Sequence, residues 1–313
     1  MLALEHSPVM LGEVMQALKI KEDGTYVDAT FGRGGHTRAI LDRLGPDGRV
    51  LAIDRDPDAC TAAHSLFKGE KRLTVVHARF SDLSKIICRQ SLRDKILGIV
   101  FDLGVSSAQL DRSHRGFSFL RGGPLDMRMD STSGETAAEW LAHVDENDLY
   151  RVLRDFGEER FARRIARKVV QDRRQLPINT TSVLASLVAE AIPTRERNKH
   201  PATRSFQAIR IHINQELEEL KAVLPQAIEM LTPQGRLAVL SFHSLEDRIV
   251  KDFIRYSVKG DQYPPDLPIT KDQLHPILRI VGKPLRPTID EVDINPRCRS
   301  AILRIAEKLD LTS

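Results

Sequence analysis

The ten residues from Asp28 to Thr37, DATFGRGGHT, follow directly on a short apolar run. Glycines at such a place let the backbone turn sharply and let a ligand approach it closely. Asp54 ends the next apolar run, 20 residues beyond Gly34, the spacing at which a carboxylate accepts from both hydroxyls of a ribose. The pair points to a ligand that carries a nucleoside. The dinucleotide pattern G-x-G-x-x-G is not met, because Thr37 stands where the third glycine belongs. Asp28, beside the loop, would meet a pyrophosphate with like charge. S-adenosylmethionine brings an ammonium and a sulfonium and no phosphate, so an acid at that corner favours it. Asp28, Gly32, Gly34, Gly35 and Asp54 are therefore read as a binding site for S-adenosylmethionine rather than NAD. The plainer alternative is that Asp28 caps a turn and the glycines only permit it. Phe80, just past a third apolar run, is placed either to lie on the adenine or to join the core.

A fourth run, ILGIVFD, ends at Asp102. In open parallel sheets ligands sit beyond the carboxyl ends of the strands, so Asp102 faces the same crevice as Asp28 and Asp54. Three carboxylates on three strands, each matched to a donor function, speak against a metal site, and none is expected. A carboxylate at this fourth position suits transfer to an exocyclic amine. The lone pair of such an amine is delocalised into its ring, and acceptors that hold its protons direct it toward the methyl carbon. Methylation at C5 of a pyrimidine needs a thiolate instead. Cys60 and Cys88 lie in helical text and Cys298 in NPRCRS, none beside the fourth strand, so C5 chemistry is disfavoured.

The elements that must hold these residues alternate. YVDA (26–29), RVLAID (49–54), LTVVHA (73–78) and ILGIVFD (96–102) are strand-sized, and helix-sized stretches separate them. One of these, DPDACTAAHSLF, has Asp56 to cap it, Pro57 at the first helical position, and Ala59, Ala62, Ala63 and Leu66 at helical spacing. Strands alternating with helices imply a doubly wound α/β sheet. The pattern breaks after Ser107 into a loop rich in Gly, Ser, Arg and Asp, then into helical text. A helix over about 203–224 puts Phe206, Ile209, Ile213, Leu217, Leu220 and Leu224 on one face. Strand-like RLAVLSF (236–242) follows the TPQG turn, LEDRIVKDFI reads as a helix, GDQYPPDLPITKD as a loop, and RSAILRIAEK as a last strand. The expected organisation is a core in two parts, 1–109 and 213–313, with an inserted helical domain at 110–212.

Composition is that of an ordinary globular chain: 313 residues, 41% hydrophobic and 29% charged. Collagen-like, low-complexity and disordered classes are thereby excluded. No apolar run reaches the roughly 20 residues of a spanning helix, and MLALEHSPVM does not read as a signal peptide. Three cysteines without a C-x-x-C point to a reducing compartment, and the expected location is the cytoplasm. The net charge is only +4, yet residues 151–174 hold nine Lys/Arg against four Asp/Glu. At 100° per residue, Arg160, Arg163, Arg164, Arg167, Lys168 and Arg174 share one arc, and Phe161, Ala162, Ile165, Ala166, Val169 and Val170 the other. Arg195 to Arg210 adds five basic residues and one acid. Two such stretches in one inserted domain point to phosphate contacts on a folded RNA or a splayed-out base, against the alternative of a solvated face.

DATFGRGGHT, AIDRDP (52–57), DLGVSSAQLD (102–111), RGFSF with GPLDMRMD (115–130), FGEERFARRIAR (156–167), HPATRSFQAIRIHIN (200–214) and SFHSLEDRIVK (241–251) resemble the ribosomal RNA small subunit methyltransferase H family, almost end to end. The resemblance implies a class I S-adenosylmethionine-dependent methyltransferase core with an inserted helical domain for RNA recognition. It also implies N4-methylation of a cytosine in the decoding region of bacterial 16S rRNA, with that rRNA or the small ribosomal subunit as partner and no membrane. A homodimer is compatible with the sequence, which does not set the oligomeric state. The family's donor-binding set falls on Gly34, Gly35, His36, Asp54, Phe80, Asp102 and Gln109. Asp102 is thus a donor contact by resemblance and an amine acceptor by the chemical argument above. The Pro-Pro-aromatic signature common in amino-methyltransferases is replaced by Asp-Leu-Gly-Val, which leaves Phe117 and Phe119 as candidates to stack on a flipped cytosine or to anchor their loop. His243, in SFHS beyond RLAVL, either holds the target's phosphate or base or caps the helix near Ser244. HPATR (200–204) is either a helix start, with Thr203 capping, or a contact. The rival from another class is a non-catalytic RNA-binding or ribosome assembly factor that retains a donor pocket; intact Gly34, Asp54 and Asp102 weigh against it.

Overall fold

A computed structural model describes residues 8–194, 200–261 and 274–310. The chain divides into two compact units, Met1–Gly104 with Leu217–Ser313, and Val105–Glu216.

The first unit is built on seven strands: β1 (Thr25–Asp28), β2 (Arg49–Asp54), β3 (Leu73–His77), β4 (Ile96–Asp102), β5 (Leu231–Ser241), β6 (Leu278–Ile280) and β7 (Ile302–Lys308). Their order is β3-β2-β1-β4-β5-β7-β6. Pairing is parallel from β3 across to β5, and β7 runs antiparallel to both of its neighbours. This is a Rossmann-like, doubly wound α/β sheet with one antiparallel strand near its edge. Strand order reverses between β1 and β4, and the ligand crevice of such sheets lies at that reversal, beyond the carboxyl ends.

Both faces of the sheet are buried, which is why its strands read as continuous apolar runs. Val27, Ile99, Phe101, Leu237 and Val239 enter one core with Val223, Leu224 and Ala227 of the helix Glu216–Met230. The alternate residues Tyr26, Val50, Val100, Ala238 and Leu240 enter another with Val14 and Leu18 of the helix Leu11–Leu18. Asp56 does cap the helix Pro57–Leu66, accepting from the Asp58 amide at 2.9 Å.

The second unit has its own core, in which Trp140, Leu153, Ile165, Val188 and Phe206 meet from five helices, Ala137–His143, Glu146–Gly157, Ala162–Asp172, Thr181–Ala191 and Thr203–Asn214.

Three expectations need correction. The helix expected over 203–224 is two helices: Gln215 takes a left-handed conformation, φ 52°, between Asn214 and Glu216. The side chain of Asn214 explains the stop, since it bonds to the Met127 carbonyl, the Arg210 carbonyl and the Met129 amide. The TPQG turn lies inside β5, as a register shift opposite Ile96 and Gly98 with Gln234 at φ 64°. Thr203 does not cap its helix; Ala202 holds the cap position, and His200 Nδ1 accepts from the Ala202 amide. The expected loop at 260–272 lies largely outside the described residues, as do Arg195 to Lys199 of the second basic stretch.

Candidate active site

The carboxyl ends of β1, β2 and β4 bring Asp28, Asp54 and Asp102 to one edge of the first unit. The loop after β1 is tied to its neighbours by backbone bonds, from Ala29 N to the Val100 carbonyl and from Phe31 N to the Ile53 carbonyl. Gly32 (φ 54°) and Gly34 (φ 73°) stand in the left-handed region, where a side chain is strained. A Cβ on Gly34 would lie 2.7 Å from the Phe31 ring, and one on Gly35 only 2.2 Å from Pro8 Cγ. The loop is thus closed from outside by the segment at Pro8, and the next residue's carbonyl, Val9 O, lies 3.2 Å from His36 Nε2. Facing a carbonyl, that nitrogen carries the hydrogen.

Each acid has a different environment. Asp28 is 1% exposed; its carboxylate accepts from the Thr30 amide and, at 2.7 Å, from the Thr37 hydroxyl. It shapes the loop from behind, and burial pushes its pKa up. Thr37, at the position that failed the dinucleotide pattern, is its partner. Asp54 Oδ2 accepts from the Gly32 amide at 2.7 Å and Oδ1 from the Asp56 amide at 2.8 Å. Each oxygen keeps a second lone pair for a ribose hydroxyl. Burial pushes Asp54 up to about 6, against those two amide bonds.

Asp102 keeps 27% of its side chain exposed, with Oδ2 at 3.7 Å from His36 Nδ1. Its Oδ1 is buried and has no hydrogen-bond partner. Burial raises Asp102 to about 6; His36 acts against this, while the charges of Asp28 and Glu246 add to it. Its amide donates to Thr30 Oγ1 at 2.6 Å, which ties the end of β4 to the glycine loop.

Glu246 belongs to this acidic group and sequence reasoning passed it over. It is 2% exposed, in the first turn of the helix Ser244–Lys259 that follows β5. His243 caps that helix, Nδ1 accepting from the Glu246 amide at 3.4 Å, so the capping alternative is the observed one.

The remaining candidates are placed as follows. Phe80 is half-buried, edge-on to Phe101 at 5.8 Å and packed on the core. Cys60 is buried in its helix and pushed up to about 12, so it stays a thiol. In the second unit, Gln109 is 6% exposed and closes a capping box with Ser106. Phe117 is 7% exposed in the apolar core, and Phe119 stacks on His200 at 4.4 Å and meets Phe206 edge-on. Both aromatics anchor their own loop. Arg160, Arg163, Arg164, Arg167 and Arg174 are exposed, and Ala162, Ile165, Ala166 and Val169 are buried opposite them. Lys168 is taken up by Asp172 and Glu190 at 2.8 and 2.9 Å, and Arg210 by Glu216 at 2.8 and 2.9 Å. No helix among the described residues is long and apolar enough to cross a membrane.

Gly35→Ala should disturb this site without unfolding the sheet. The new methyl must displace Pro8, and with it the Val9 carbonyl that holds His36. A loss of about 1–3 kcal/mol, typical of overpacking, is expected in thermal melts, with weaker ligand binding by calorimetry. Unchanged binding would show that the Pro8 segment plays no part.

Residues 3–309 match the model of the MraW methylase family. A protein named ribosomal RNA small subunit methyltransferase H from Nitrosococcus oceani is 54% identical over 304 residues, 97% of this chain and 96% of its own. Its namesake from Dechloromonas aromatica is 55% identical over 305 residues, 97% and 98% of the two chains. Among solved structures, an rRNA methylase from Streptococcus thermophilus aligns over 98% of this chain and 100% of its own, with a TM-score of 0.44 and 12% identity.

Proposed function

The chain belongs to the MraW methylase family, and from that membership we propose that it is an S-adenosylmethionine-dependent methyltransferase of small-subunit ribosomal RNA that acts on N4 of a cytosine in the decoding region.

The site fits the donor. The charge of Asp28 acts on both Asp54 and Asp102, that of Glu246 adds to it at Asp102, His36 opposes it at Asp28 and Asp102, and burial holds each of the three aspartates above its usual range. A cation relieves such a cluster, whereas a pyrophosphate would aggravate it. When bound, S-adenosylmethionine supplies a methyl carbon made electrophilic by its sulfonium. Asp54 accepts from the ribose hydroxyls with the lone pairs that Gly32 and Asp56 leave it. Gly34 and Gly35, whose missing side chains make room for Phe31 and Pro8, are assigned to the donor through their backbone by family likeness, and His36, held by Val9, faces Asp102. Phe80 and Gln109 are assigned to the donor as well, by family likeness.

The observation that carries the reading is Asp102: a partly exposed carboxylate at the end of β4, lifted to about 6. Its acceptor oxygens hold an N–H of the exocyclic amine and turn the nitrogen lone pair outward. Asp102 takes the proton that the nitrogen sheds as it accepts the methyl group; the bound donor would keep the electron pair of its broken S–C bond and leave as a neutral thioether. A general base contributes most when its pKa lies near the working pH. A C5 mechanism finds no support, because Cys60 is held as a thiol. In the helical unit, the exposed arginines at 160, 163, 164 and 167 are assigned to RNA phosphates.

The test is mass spectrometry of nucleosides from small-subunit rRNA of cells lacking the gene, after incubation with the purified protein and S-adenosylmethionine. N4-methylcytidine is expected. 5-Methylcytidine would overturn the assignment of the acceptor atom, and no methylation of rRNA or of assembled subunits would favour a non-catalytic assembly factor.

A further inference from the structure

Among the described residues, four helices begin with a side chain that accepts from the amide three residues on, where an acid or amide stands: Ser106 with Gln109, Thr136 with Glu139, His243 with Glu246, and Thr288 with Glu291. Three use the hydroxyl residues that capping favours. The fourth uses a histidine and buries its acid. Glu139 is exposed, while Glu246 is 2% exposed, with Oε2 accepting from the amides of Phe242 and His243 and Oε1 at 3.1 Å from His243 Nε2. Capping needs neither a ring nor a buried charge, and burying a carboxylate is costly.

The placement of this pair supplies a reason. Asp102 stands opposite Leu240 in the parallel register of β4 and β5, and the Leu103 amide bonds to the Leu240 carbonyl. His243 and Glu246 therefore follow the strand next to Asp102, and the charge of Glu246 reaches that carboxylate. Two polar atoms here are buried without a hydrogen-bond partner: Asp102 Oδ1, and His243 Nε2, which lies within ion-pair distance of Glu246 Oε1, at 3.1 Å. The titratable groups around Asp102 are then His36 from the helix after the glycine loop, Asp28 from β1, and Glu246 from the helix after β5.

We propose that Glu246, moderated by His243, is a positioning residue for methyl transfer: its buried carboxylate, on the helix that follows the strand beside Asp102, poises Asp102 to take the proton of the amine. The proposal rests on the reading of Asp102 given above. It assigns a role to a residue that touches neither donor nor acceptor.

Glu246→Gln separates the charge from the cap, because Gln109 closes the same box with Ser106 in this chain. His243→Asn keeps an acceptor for the Glu246 amide but removes the ring that faces its carboxylate. The direct readout is the titration of Asp102 in the ligand-free protein by carboxyl-carbon NMR, assigned with Asp102→Asn. The midpoint should fall in Glu246→Gln, and rise in His243→Asn, where the ring no longer faces the glutamate carboxylate. The acid limb of kcat/KM should move with it, and the plateau of Glu246→Gln should drop about two- to threefold as the base weakens. Midpoints that stay put, or that move the same way in both variants, would overturn the proposal and return the pair to helix capping. The titration also stands apart from the reaction: a wild-type protein that shows the opposite shifts but makes no N4-methylcytidine would refute the proposed function while leaving the charge coupling in place.

Discussion

Asp102→Asn should fold as the wild type does and lose methyl transfer by about a hundredfold to ten-thousandfold, the range that removal of a positioned base costs. The replacement is isosteric, and the bond from the backbone of residue 102 to Thr30 Oγ1 is untouched. What changes is the charge and one acceptor. An amide turns an N–H toward the amine it should accept from, and it cannot take up a proton. Methylation followed by mass spectrometry measures the loss; retained activity would remove Asp102 from the chemistry. The pH dependence gives a second check. With Asp102 at about 6 in the ligand-free protein, its carboxylate is protonated below that value, so wild-type kcat/KM for the donor should rise as pH climbs through 6 and then level off. Stability should move the opposite way. The folded-state pKa lies above the ordinary 3.8, so the native state holds the extra proton between about 4 and 6, and this contribution is lost as pH rises through 6. Ligand-free Asp102→Asn lacks that loss and should gain on the wild type in melts between pH 5 and pH 8. A site that costs stability for the sake of its charge is the usual trade of an active centre.

The parts of this site that could be read in the sequence are those whose meaning is local. Asp54 and Asp102 end apolar runs, and a strand end in a parallel sheet has one functional side, so their place follows from the pattern of β2 and β4. Asp56 and Pro57 mark a helix start by their own chemistry. Glu246 could not be found this way. In HSLEDR it reads as a solvated first-turn acid, and only the packing of the helix Ser244–Lys259 against the sheet buries it. Thr37 was legible as a missing glycine, while its use as the donor to Asp28 needs the turn in three dimensions. The stop at Gln215 escaped for a related reason. Apolar positions from Phe206 to Leu224 stay in phase across a single left-handed residue, no glycine or proline marks it, and two of the partners of Asn214, Met127 and Met129, lie more than 80 positions away. The strand Leu278–Ile280, three residues long, is too short to show a period.

The basic face of the helix Ala162–Asp172 was legible as a pattern, and the structure sorts its members by what already engages them. Lys168 is shared by two carboxylates, and Arg167 lies 3.8 Å from Glu146. Arg163 rests on the Tyr150 ring at 4.4 Å and Arg160 on Phe161 at 5.7 Å, contacts that orient a guanidinium while leaving its edge N–H groups for a phosphate. Arg164 is exposed. Reversing Arg160, Arg163 and Arg164 together to glutamate should therefore weaken binding to small-subunit rRNA by about a thousandfold at moderate salt. The log–log salt slope should lose about 0.7–0.9 for each phosphate contact removed. The apolar side, Ala162, Ile165, Ala166 and Val169, is unaltered, so melts should change little. Lys168→Gln is the internal control: its charge is already answered within the protein, and the slope should stay near that of the wild type. A slope unchanged in the triple variant would make the face ordinary solvated surface, whereas equal losses in both would mean that its net charge matters and its geometry does not. Only a loss confined to the three arginines fits phosphates held at fixed points, and fixed points are what an enzyme needs to present one cytosine among many.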